Sequence, residues 1–413
     1  MPNPDHLIVL AVFAVVYLGM ILGGLPHLHL DRTGVALLGA IAIVGFEVMT
    51  PEAAAQAVHL PTILLLFSFM VISAQLRLGG FYAHVTRQIA ALPLGPAALL
   101  AVVVAAVALL SAVFSNDVVC LAVAPVLADA CLRRRLDPVP FLLALACAAN
   151  IGSAATLIGN PQNMLIGQRL GLDFGAYLLE AAVPVVLGLV LLWLLLLPSL
   201  RQAPQPAPAP QPAPPAGDDQ PFDRWQTAKG LAVAAALVAV FLFTGWPHDV
   251  AALVGAGALL LSQRFHSSRV MGLIDWELLI LFFGLFIVNG ALERTGLTAQ
   301  AVQALADAGV RLGDPAPLFA ATLLLSNLVS NVPAVMLLLP AAQGAHAGPT
   351  LALVSTLAGN LLIVGSIANI IVVDAARRQG IVIGWKRHAR TGVPVTLATL
   401  AVAAGWIAWR ASA

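Results

Sequence analysis

The sequence predicts an all-α polytopic membrane fold made of two inverted-topology repeats, and three observations carry that expectation. Of 413 residues, 60% are apolar and 9% charged, whereas soluble domains carry about 25% charge; mean hydropathy is +0.96. Many apolar runs reach roughly 17 to 25 residues, the length a helix needs to cross about 30 Å of hydrocarbon while satisfying its own backbone. Third, the stretch Phe114 to Pro125, FSNDVVCLAVAP, returns 215 residues later as VSNVPAVMLLLP, so that Ser115, Asn116 and Pro125 fall on Ser330, Asn331 and Pro340.

The elements follow in order. The first apolar run, 7–25, has no Lys or Arg before it and so lacks the basic flank of a cleavable signal peptide; it is expected as the first membrane helix. Further spans are expected at 34–49, 60–76, a pair around Ser115, a broken one at 141–168, and 177–198. Between them, 79–92 mixes His84, Arg87 and Gln88 with Phe81, Tyr82, Val85 and Ile89, the pattern of an interfacial amphipathic helix. A proline-rich segment then predicts an extended, solvated linker over 199–228, with a PxxP ligand as the rival reading. Residues 1–198 form the first repeat and 229–413 the second, with spans at 229–245, 249–263, 276–292, a pair around Ser330, a broken one at 350–372, and 391–409. ALLGA at 36–40 matches ALVGA at 252–256, Phe67–Ser73 matches Phe283–Asn289, and Gly80 falls on Gly296, all at an offset of 216; Asn150 falls on Asn360 at 210. Landmarks that keep their order over such a length mark an internal duplication.

If each Ser-Asn pair tips a re-entrant hairpin, each half crosses five times, and the odd number inverts the second half. All but four of the 20 Lys and Arg residues then fall on one face, the exceptions being Arg169, Arg294, Arg311 and Arg410. The positive-inside rule places the basic face and the linker in the cytoplasm and both termini outside, in a cell inner (plasma) membrane.

Polar side chains at bilayer depth are costly, and non-helical backbone there lines a cavity or is buried in protein. Each half carries a Ser-Asn tip (Ser115, Asn116; Ser330, Asn331) and a downstream polar break. The breaks are NIGSAATLIGNPQN from Asn150, with Gly152, Ser153, Thr156, Gly159 and Asn160, and NLLIVGSIAN from Asn360, with Gly365, Ser366 and Asn369. Gly152 and Gly159 are expected to permit an unwound segment, as is Gly365. Helix N-termini offer N–H groups to an anion, and unwound carbonyls coordinate a cation. These residues are therefore the candidate substrate and ion site. The bland reading is interhelical hydrogen bonding and close packing; two tips in register, each followed by a break, favour a site. Asp117 breaks the symmetry, standing where the second copy has Val332, and is read either as a proton or cation carrier or as half of a salt bridge. Cys120, Cys131 and Cys147 have no metal or redox spacing and read as small buried hydrophobes.

The motifs SNDVVCLAVAP, GSAATLIGNPQN, ALERTG, SNLVSNVPAVMLL and GSIANIIVVDAARR resemble the ion transporter superfamily of arsenite permeases, NhaD-type sodium/proton antiporters and divalent-anion/sodium symporters, most closely the arsenite-permease-like anion permeases, from about residue 30 onward. The resemblance implies a secondary active carrier of a small inorganic or carboxylate anion in the lipid bilayer, and a homodimer is compatible with it. It implies sodium sites at Ser115, Asn116 and Gly152 and at Ser330, Asn331 and Gly365. The third tip residue departs from the symporters' Ser-Asn-Thr in both copies, which turns the expectation from sodium toward proton coupling. No cofactor is expected beyond the coupling ion, H+ or Na+.

A sodium/proton antiporter or an arsenite/antimonite efflux permease is the alternative. A channel is disfavoured because two opposed hairpins supply the half-sites of a carrier. An enzyme is disfavoured because HExxH, GxSxG and paired buried acids are missing from the sequence, and no P-loop points to ATP. A net charge of +1 without a basic tail argues against nucleic acid.

Overall fold

The computed structural model describes residues 4–25, 28–201 and 221–412, and their regular structure is helical throughout. The first repeat contains α1 (Pro4–Leu22), α2 (Arg32–Gly45), α3 (Pro51–Ala57), α4 (Leu60–Leu78), α5 (Phe81–Ala91), α6 (Pro96–Val113), α7 (Asn116–Arg133), α8 (Pro138–Ser153), α9 (Pro161–Leu170) and α10 (Phe174–Leu196). The same order returns as α11 (Arg224–Phe243), α12 (His248–Leu260), α13 (Ser267–Met271), α14 (Trp276–Arg294), α15 (Leu297–Asp307), α16 (Pro315–Val329), α17 (Asn331–Leu338), α18 (Ala347–Ala358), α19 (Ile367–Arg378) and α20 (Trp385–Ser412). Most of the expected linker lies outside the described residues. The described chain resumes before α11, where the Asp223 side chain accepts from Trp225 N and Gln226 N. This cap starts the helix at Arg224, ahead of the apolar run at 229.

Other boundaries also move. α2 stops at Gly45, short of 49, because Glu47 turns the chain with a φ of 59°. α20 starts at Trp385 instead of 391 and runs through Pro394. The amphipathic helix expected near 79–92 is α5. Its counterpart α15 and the short α3 and α13 were not among the expected spans, being too short or too polar to register as apolar runs. Gly80 and Gly296 start α5 and α15 at φ 71° and 73°, a left-handed conformation that glycine adopts without steric cost.

The first hairpin turns back on its own side. With 18 residues, α6 rises about 27 Å and is long enough to cross. Yet Arg134, just past the end of α7, donates to the carbonyls of Ala90 at 2.8 Å, Leu92 at 3.2 Å and Leu94 at 2.7 Å, all just before α6 begins. Around the hairpins, α2 packs on α14 and α12 on α4, so each repeat supplies the partner of the other's helix. α10 packs on α20, joined at one end by Arg410 to Glu180 at 2.9 Å.

Layering follows hydropathy. Every residue of α8 is buried, as expected of a helix that is apolar on all faces. Leu109, Leu179 and Leu324 stand 70%, 75% and 68% exposed on the outside, which in a bilayer is the lipid-facing surface.

Candidate functional site

Eight helix ends meet at the centre. There α6, α8, α16 and α18 end, and α7, α9, α17 and α19 begin. The Asn116 amide N–H at the first tip donates to Gly159 O of the first break at 3.2 Å. At the second, a Cβ on Gly359 would lie 3.2 Å from Asn331 Nδ2. Asp31, Asp137, Asp173, Asp223 and Asp275 cap α2, α8, α10, α11 and α14 through their side chains. The central α7, α17 and α19 begin at Ser115, Ser330 and Ser366 without a side-chain cap. In α7 the first N–H is taken by Gly159 O, whereas the remaining first-turn N–H groups of the three helices, with the positive ends of their dipoles, have no side-chain acceptor and are available to a ligand.

Asn150 is the hub. It is 1% exposed. Its Oδ1 accepts from Asn116 Nδ2 at 3.1 Å and Ser366 Oγ at 3.0 Å, and its Nδ2 donates to Asn360 Oδ1 at 2.9 Å and Asn369 Oδ1 at 3.4 Å. The two breaks are thus one hydrogen-bond network across the repeat boundary. Asn369 Nδ2 in turn holds Gly359 O at 2.8 Å and Leu362 O at 3.0 Å, fixing the second break.

Asn160 caps α9 through Asn163 N and donates to Ser153 Oγ at 3.0 Å and Thr356 Oγ1 at 3.2 Å. Thr156 donates to Ala112 O at the end of α6. Gly159 has no room for a side chain, since a Cβ would lie 2.3 Å from Ser153 O. Gly365 closes a 3-10 turn, Ile363–Gly365, with its Cα side toward Asn327 Oδ1. Gly152 behaves differently from the expected unwound residue. It stays helical in the last turn of α8, where a Cβ would lie 2.4 Å from Ala108 Cα. Its lack of a side chain lets α8 pack against α6, and the chain unwinds only after Ser153. Ser330 sits at φ 78°, ψ 162°, a region costly for any residue with a Cβ, whereas Ser115 is relaxed at φ −54°. Asp117 is half-buried and has no ion-pair partner among the described residues.

Several members were not singled out from the sequence. Thr356 accepts from Gln162 Nε2 at 3.2 Å as well as from Asn160, and Asn163 Nδ2 reaches Thr156 O at 3.0 Å. Tyr177 donates to Ala154 O at 2.8 Å, and His388, at the matching place in α20, lies 3.2 Å from Asn360 O. Gln162 and Asn163 stood inside the motif as PQN. Thr356, Tyr177 and His388 carried no local signal.

The network leaves particular atoms open. Because Asn116 donates through Nδ2, its Oδ1 is left over; because Asn360 accepts through Oδ1, its Nδ2 is left over. Asn116 Oδ1, Asn327 Oδ1, Asn331 Oδ1 and Asn360 Nδ2 are all buried without a partner. Buried polar atoms of this kind are expensive. Three acceptors can take a cation or a bound donor, and the free amide with the uncapped N-termini can take an anion.

The citrate transporter family matches residues 8–358. An uncharacterized transporter of Mycobacterium tuberculosis is 30% identical, over 91% of this chain and 93% of its own. The silicon efflux transporter of rice, Oryza sativa subsp. japonica, is 29% identical over 94% of this chain and 95% of its own. Among solved structures, the YdaH transporter of Alcanivorax borkumensis, whose topology is described as unusual, superposes with a TM-score of 0.59 at 16% identity, over 99% of this chain and 98% of that one.

Proposed function

The chain belongs to the citrate transporter family and is a multi-pass membrane transporter, and from that premise we propose that it is a secondary active permease for a small anion. The observation that carries the reading is the pairing, at one centre, of uncapped helix N-termini with buried, unpartnered Asn atoms. An anion is held by the N–H groups and Asn360, while a coupling cation is held by the acceptors of Asn116, Asn327 and Asn331. Sodium would use Ser115, Asn116 and Gly152 in one repeat and Ser330, Asn331 and Gly365 in the other. A proton would use Asp117, the acid beside the first tip. Alternating access follows from moving the network's shell against the paired scaffold helices, with the basic face in the cytoplasm and the membrane the cell's inner (plasma) membrane.

The rice relative's name supports a second reading, efflux of a hydroxy acid of the arsenite or silicate type, at the same site. Purified protein in liposomes, assayed with citrate, sulfate and arsenite under imposed proton or sodium gradients, separates these readings. Saturable uptake of citrate or sulfate that follows one cation gradient supports the anion carrier. Transport of arsenite alone, at a rate independent of both gradients, sinks it.

A further inference from the structure

A cavity of about 380 Å³ opens on the basic-poor face between α3, α9, α14 and α17. Its floor includes Leu165 and Met336, each five residues beyond a central residue, Asn160 and Asn331 respectively. At 1.5 Å per residue, that floor lies about 7 to 8 Å along α9 and α17 from the network. Its wall carries Arg169, at the end of α9, and Arg294, at the end of α14. Both are exposed, and neither has an ion-pair or hydrogen-bond partner among the described residues. Two of the four basic residues on this face therefore point into one cavity above the centre, while a third, Arg410, is paired with Glu180. Glu293 lines the same cavity and holds its formal charge at +1. Burial, with Arg169 as a smaller cause and Asp249 opposing, lowers the pKa of His59 at the entry to α4.

We propose that this cavity is an antechamber in which Arg169 and Arg294 gather a small carboxylate or inorganic oxyanion before it passes to the central network. The inference rests on the anion reading of the centre and adds a second, peripheral site to it. Guanidinium groups match carboxylate and oxyanion geometry. A cleft lined by one sign of charge raises the local concentration of the opposite ion. Glu293 keeps the attraction weak enough for onward movement, so the site collects and does not trap.

The test needs no known substrate. Gln56, exposed on the cavity wall, is replaced by Cys. The reaction rates of this Gln56→Cys variant with anionic sulfonatoethyl and cationic trimethylammonioethyl methanethiosulfonate are then compared, after subtracting the parent protein's own rate. Removing both guanidinium charges by Arg169→Gln with Arg294→Gln should lower the anionic-to-cationic rate ratio on the order of tenfold at low salt. The difference should shrink at about 0.5 M salt, where screening shortens the reach of charge to a few Å. Arg→Lys at both positions should restore most of the ratio. In liposomes the double Gln variant should raise KM for citrate or sulfate several-fold, with Vmax within about twofold. An unchanged labelling ratio, a cationic preference before the arginines are replaced, or a thiol at this position unreactive to both reagents overturns the antechamber. If the ratio falls as expected but no anion is transported, the antechamber stands and the carrier reading of the centre fails.

Discussion

Replacing Asn150 by Leu tests whether the two repeats share one polar centre. The two side chains have the same number of heavy atoms and the same branching, so the substitution removes polarity, and leucine's bulkier methyl groups add some overpacking to the loss. It deletes four hydrogen bonds, of which three are 3.1 Å or shorter. Asn116 Nδ2, Ser366 Oγ and Asn360 Oδ1 lose their partners inside the protein, and each stranded group costs about 1 to 3 kcal/mol. Taking the lower figure for each gives about 3 kcal/mol, a large part of the ~5 to 15 kcal/mol that separates folded from unfolded protein. Equilibrium unfolding of purified protein should therefore show a loss of about 3 kcal/mol, and liposome transport should be abolished. A double-mutant cycle with Asn360→Leu isolates the bond across the repeats. Interhelical hydrogen bonds in membranes average about 0.6 and reach about 1.7 kcal/mol, and this buried bond, at 2.9 Å, belongs near the upper end. Strict additivity of the two substitutions, with a loss for Asn150→Leu below about 0.5 kcal/mol, would refute the shared network.

Gly152→Ala should destabilise the protein by about 1 to 3 kcal/mol, the cost of overpacking, because the new Cβ meets the Ala108 backbone; an unchanged unfolding midpoint would return Gly152 to the role of a flexible break. Cysteines at Gln263 and Gln343, both exposed, should be labelled from opposite sides of the membrane, Gln263→Cys from the cytoplasm; labelling of both from one side would break the five-crossing topology. Asp117→Asn should uncouple substrate movement from a proton gradient while leaving exchange of substrate for substrate; a pH-dye response equal to the parent's, or a dependence on sodium alone, would take the proton from Asp117.

The fold was legible because membrane burial writes itself into long apolar runs and because the duplication keeps its order, from ALLGA through Gly80 to the Ser-Asn tips. The short α3 and α13 and the amphipathic α15 were not, since none is an apolar run. At the site, tips and breaks were visible as polarity out of place. What joins them was not: the bond from Asn150 to Asn360 spans 210 residues, and Thr356, Tyr177 and His388 are single polar residues of the kind any membrane helix contains. Gly152 was misjudged because glycine serves both unwinding and close helix contact, and the distance to Ala108 decides between them only in three dimensions. The antechamber was equally hidden, since Arg169 and Arg294 are 125 residues apart.

The central claim is that Asn116 and Asn331 offer their open amide oxygens to the transported species. Counterflow of labelled anion in liposomes, using whichever of citrate or sulfate the parent accumulates, tests it most directly. Asn116→Leu and Asn331→Leu should each insert, fold and run as the parent does on size exclusion, since the apolar spans are untouched, yet show no counterflow above protein-free vesicles. Counterflow at the parent's rate in both variants would contradict the claim and leave the two residues as packing contacts.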